Sequence, residues 1–185
     1  RNVTGVQTCA LPILQGIWQV QGRVASEPVS YQSAGAARKA ENAANRRTAD
    51  PLEKCYMPGV PRIMSLDHPF QIFQTPTHIA ETFAFSQLHR LVYVNGTKPP
   101  EGIDFWMGDS RGRWDGDTLV VDVTNHNDRT WLDAAGDPHS DALHVTERYT
   151  LADADTIRYE ATIDDARTYT RPWKMTMTFR RQKTM

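Results

Sequence analysis

From Pro69 onward, apolar and polar residues alternate in short runs, the period of strands that bury one face and wet the other. This spacing predicts strands over Phe70–Thr75, His78–Phe85, Arg90–Val94, Arg111–Trp114, Thr118–Thr124, Leu143–Leu151, Thr156–Ile163 and Trp173–Arg181. Turn chemistry falls between them, with Asn95-Gly96 after the third and Asp115-Gly116, a strong hairpin signal, after the fourth. An earlier strand is expected from Gly16-Ile17-Trp18-Gln19-Val20. Ser33–Ala49 is different: rich in Ala and charge, poor in large apolar side chains. It predicts a surface helix or helical lid, ended by Asp50-Pro51. Consecutive strands joined by short turns make an all-β fold with one peripheral helix, an antiparallel meander forming a barrel or a sandwich.

The same alternation exposes two misfits. Glu81 shares a face with Ile79, Phe83 and Phe85, and Glu147 shares one with Leu143, Val145 and Tyr149. A carboxylate on an apolar face is costly unless paired or neutralised, and its raised pKa is what a general acid needs. Glu147 is therefore a candidate proton-transfer residue, Glu81 its partner, and Arg90 or Arg148 the charge that sets their pKa values. A buried ion pair with one of those arginines, or a bulge turning the glutamate outward, is the architectural alternative.

Two polar regions could supply the rest of a site. In the loop Asn125–Ser140, His139 and Asp128 are expected to line an entrance, His139 as a further catalytic candidate, with His144 a ligand contact just beyond. His139, His144 and Glu147 lack zinc-helix spacing, and a metal would need a bulge or ligands such as His126 or Asp128, so none is expected. Trp106, Asp109 and Arg111 join an aromatic face to a carboxylate and a guanidinium, a combination suited to sugar rings or planar aromatic ligands. Trp114, next to a tight turn, reads as packing. Ser110 lies in Gly-Asp-Ser-Arg-Gly without the strand–turn–helix setting of a nucleophile elbow, and Cys55 reads as a small buried residue. No phosphate-binding glycine motif is present, and no cofactor is expected.

Composition narrows the partners. The 185 residues carry 21 Lys and Arg against 22 Asp and Glu, a net charge of -1 that argues against binding nucleic acid through phosphate neutralisation. No apolar run approaches the roughly 20 residues of a membrane-spanning helix, so membrane insertion is not expected. A small-molecule ligand or substrate is the expected partner, and the oligomeric state stays open.

Three resemblances add to this. Val3–Ile13, VTGVQTCALPI, resembles the translation of a sequencing adapter, which implies that 1–13 is a non-native segment preceding a single domain over 14–185, with a helical insertion at 33–49. Gly16-x-Trp18, the following helix, and Arg180 or Arg181 on the last strand resemble the calycins, lipocalin-like barrels in which an early tryptophan packs against a late basic side chain. DPLEKCYMPGVPR, FQIFQTP, WMGDSRGRWDGDTLVVDVT, DRTWLDAAGDPHSDALHVTERY and TIDDARTYTRPW resemble a family of uncharacterised secreted bacterial proteins, which implies a periplasmic or extracellular location. The leading functional expectation is a secreted hydrolase or lyase acting on a small carbohydrate-like or aromatic molecule. The alternatives are a non-catalytic ligand-binding barrel and a structural or interaction module.

Overall fold

The computed structural model describes residues 11–184, so residues 1–10 of the expected non-native segment lie outside the described residues. Nine strands close into one barrel in sequence order: β1 Gly16–Ser26, β2 Phe70–Gln74, β3 His78–Phe83, β4 His89–Tyr93, β5 Asp109–Asp115, β6 Thr118–Thr124, β7 His144–Asp153, β8 Thr156–Asp164 and β9 Trp173–Gln182. β1 pairs with β9, so the sheet has no free edge.

The ladder is not wholly antiparallel, as expected from the sequence, because β4 and β5 pair in parallel through Val92↔Ser110 and Tyr93↔Arg111. The long connection 94–108 carries the chain back to the end where β4 began, the crossover that a parallel pair requires. The other ladders are antiparallel, and the Asp115-Gly116 hairpin forms as the turn chemistry predicts.

Alternation sorts side chains as the sequence implies. β7, β8 and β9 send Val145, Glu147 and Tyr149, then Ile157, Tyr159, Ala161 and Ile163, then Trp173, Met175, Met177 and Phe179, into a filled interior. One end of the barrel is closed by Trp18, which is fully buried, with the Arg181 guanidinium 4.3 Å from its ring centroid. Arg181 also donates to the carbonyls of Ala154 and Gln15, both at 2.9 Å. Gly16 explains itself here: its φ is +149°, and a Cβ would stand 2.1 Å from Arg181 Nη1.

Loops and helices cover the opposite end, where β5, β7 and β9 begin. The predicted helix is real but broken at Asn45, giving α1 Ser33–Ala44 and α2 Arg46–Ala49. α1 buries only Gly35, whose Cβ would meet the Thr168 carbonyl oxygen at 2.3 Å, and otherwise holds the cap by polar bonds. Arg38 donates to the His139 carbonyl at 3.1 Å, Asn42 to that of Gly136 at 2.9 Å, and Lys39 pairs with Asp137 at 2.9 Å. Beneath them Arg62 grips Asp50 through two bonds of 2.7 Å, and both are buried. Burial alone would raise the Asp50 pKa, but Arg62 and the Leu52 amide outweigh it and hold the carboxyl below its usual range. Cys55 is exposed rather than buried, because it occupies a left-handed turn (φ 60°) just after the single turn Pro51–Lys54.

Candidate functional site

The two misfit glutamates do point inward: Glu81 is 1% exposed and Glu147 not at all. Arg90 lies between them. It sits across from Glu81 in the β3–β4 ladder and donates to Glu81 Oε2 at 3.2 Å. Reaching across the lumen, its Nη1 donates to Glu147 Oε1 at 3.1 Å, and its Nη2 makes a shorter bond to Glu147 Oε2. Its Nε donates to Ser110 Oγ at 2.8 Å. Tyr159 and Tyr149 donate to Glu147 Oε1 at 2.7 and 3.2 Å. Burial and the Glu147 charge push both phenols well up, so they stay neutral donors.

This network has two carboxyls for one guanidinium. Burial first, and the Glu147 charge second, raise the Glu81 pKa, against the pull of Arg90. Glu81 is the group inclined to hold a proton. Glu147 accepts four bonds, three at Oε1 from Arg90 and the two tyrosines and one at Oε2 from Arg90.

The other expected site residues do not join this network. Arg148 lies on the outer face and bonds Asp115 at 3.1 Å, so it is not the charge that tunes the glutamates. His144 is also outward, 3.0 Å from Asp122. Asp109 and Arg111 satisfy each other at 2.5 and 2.9 Å, and Arg111 stacks over Tyr93 at 4.2 Å. Trp106 is half-buried against Tyr56, ring centroids 4.9 Å apart, with Arg129 6.0 Å from its ring. Asp128 is exposed on the cap. His139 lines no entrance. It is fully buried, with Nε2 2.7 Å from Thr130 Oγ1 and Nδ1 3.0 Å from the Ser140 carbonyl. Those contacts assign the proton to Nδ1, leaving Nε2 to accept from the threonine.

His126 is the residue that alternation could not flag. Strand periodicity stops at Thr124, and Asn125 turns the chain with a left-handed φ of 56°. The imidazole lands beneath the cap with no exposure, its ring centroid 5.8 Å from that of His139. Gly108 makes room for it, since a Cβ there would meet His126 Cε1 at 2.8 Å and Nε2 at 2.9 Å. Burial first, then the electrostatic influence of His139 and Arg90, lowers its pKa to about 3 against a slight upward pull from the Val123 backbone. Neither ring nitrogen makes a well-aligned hydrogen bond with the described residues, and the Val123 backbone, which opposes the fall in pKa, is close without completing one. Trp173 Nε1, at the start of β9 and hence at the same end, is likewise buried without a partner.

Unpartnered buried polar groups are rare because each forfeits its hydration, about 1–3 kcal/mol, without return. Here a neutral imidazole offers one donor and one acceptor, and an indole N–H adds a donor. Among the described residues no cluster of three or more His, Cys, Asp or Glu could hold a metal ion. No helix among them is long and apolar enough to cross a membrane. In comparisons with known proteins, the chain matches no family model and no curated protein.

Proposed function

We propose that this chain is a small-ligand-binding β-barrel whose site lies under the α1 cap, at His126 and Trp173. The observation that carries this is the His126 ring, wholly buried with neither nitrogen in a well-aligned hydrogen bond among the described residues. A hydroxyl completes such a ring well, since it donates and accepts at once. The ligand class is therefore a small hydroxylated molecule, either carbohydrate-like or phenolic. Access would come by lifting α1, which buries only Gly35 and is otherwise held by polar bonds from Arg38, Lys39 and Asn42.

A thermal-shift and calorimetric screen of monosaccharides, polyols and phenols tests this. Saturable stabilisation of the wild type is expected, weakened at least tenfold in His126→Phe, with no product formed. Equal binding by wild type and His126→Phe, or no binding by any compound, overturns it. A second reading, acid/base catalysis, draws support from the raised Glu81 pKa. Chromatographic detection of product, lost in a folded Glu147→Gln variant, would favour that reading instead.

A further inference from the structure

On the outer face of β7, β8 and β9 lies an open groove of about 560 Å³, independent of the capped end. Arg148, Thr150, Arg158, Glu160, Thr176 and Thr178 line it, all on the face opposite the core. Register explains why the two arginines gather there. Arg148 stands opposite Glu160, and Thr150 opposite Arg158, so Arg148 and Arg158 are diagonal neighbours on one face. Diagonal positions are about 7–8 Å apart, within reach of long side chains, and like charges so placed repel.

The compensation for these two charges is incomplete, and Arg158 is left without any among the described residues. Glu160, the one carboxylate in the groove, is engaged by Lys174 at 2.9 Å. Arg148 makes a single 3.1 Å bond to Asp115, at the rim and well exposed. Arg158 is exposed and makes no side-chain hydrogen bond or ion pair among the described residues. Thr176 and Thr178 beside it likewise make no side-chain hydrogen bond among the described residues. Two guanidinium forks, hydroxyl donors and a volume within the range of small-molecule sites form a receptor for negative charge.

We propose that this outer groove binds a small molecule bearing two oxyanion groups, one held by Arg148 and the other by Arg158, with Thr176 and Thr178 donating to it. Phosphoryl and carboxylate ligands share this chemistry. Inorganic pyrophosphate and citrate separate the two sources, each titrated at constant ionic strength while backbone amide resonances are followed. Saturable shifts confined to β7–β9 are expected, with affinity reduced at least tenfold in either Arg158→Gln or Arg148→Gln. A response to pyrophosphate alone marks a phosphoryl ligand, and one to citrate alone marks a polycarboxylate. Shifts that never saturate, or that persist unchanged in Arg158→Gln, overturn the proposal. Both arginines lie on the outer face, so unchanged melting temperatures in the variants will show that lost binding is not lost folding.

Discussion

His126 contributes a defined share of the pH dependence of stability. Its pKa is lowered from 6.5 to about 3 in the folded state, so only the unfolded chain takes up a proton as the pH falls through 6.5. The stability tied to its neutral form is complete above that value and drains away between pH 6.5 and about 3. His139, also lowered by burial though opposed by the Ser140 carbonyl and Asp165, adds to the same slope. Urea unfolding from pH 7 to 5 is therefore expected to show the two histidines lowering stability as the pH falls, against an opposite contribution from Glu81, whose pKa is raised. His126→Phe should flatten the slope; an unchanged slope would mean that the imidazole is not held neutral. None of this was legible in the sequence. The alternation that located Glu81 and Glu147 ends one turn before His126, and a left-handed asparagine carries no signal about which way the next side chain points.

Among the elements, strands were easiest to read because burial on one face writes itself as a period of two. Thr118–Thr124 falls where the pattern puts it, and the neighbouring strands differ at their ends by a few residues. The parallel β4–β5 pair was not readable, since alternation is the same whichever way a strand runs. The break at Asn45 was also hidden, because an Ala-rich surface stretch offers no buried stripe to show where the helix changes direction. Closure between the first and last strands rests partly on Arg181, the last-strand arginine that packs on Trp18. Arg180, its alternative in the sequence reading, bonds Thr156 and Gln21 instead. Replacing Arg181 with alanine removes the stacking and two carbonyl contacts, an expected loss of about 1–2 kcal/mol by urea denaturation. An unchanged midpoint would show that strand pairing alone holds β1 to β9.

At the scale of the whole molecule, barrel closure turns a local pattern into a network. Arg90 and Glu147 lie on strands separated by β5 and β6, and only the closed lumen brings them together. Periodicity could name inward glutamates and offer Arg90 or Arg148 as partner, but choosing between them required the three-dimensional path across the lumen. Arg90, Tyr149 and Tyr159 all bond Glu147, whereas His126 and Trp173, at the capped end, are among the buried groups left without a hydrogen bond in the described residues.

Removing the shared cation tests that division most directly. Arg90→Met keeps most of the length and volume but strands Glu81 and Glu147 without a counter-charge. At pH 7 the variant is expected to lose about 3–5 kcal/mol relative to wild type. Its pH dependence should also shift toward greater stability at lower pH relative to the wild type. Buried carboxyls whose pKa values are raised stabilise the fold only while protonated, and that contribution is lost as the pH rises through the folded-state values. Urea unfolding of both proteins between pH 7 and 5 should therefore show the stability gap between Arg90→Met and the wild type narrowing as the pH falls. An Arg90→Met protein as stable as wild type at pH 7, with the same pH slope, would contradict the structural role of the glutamates.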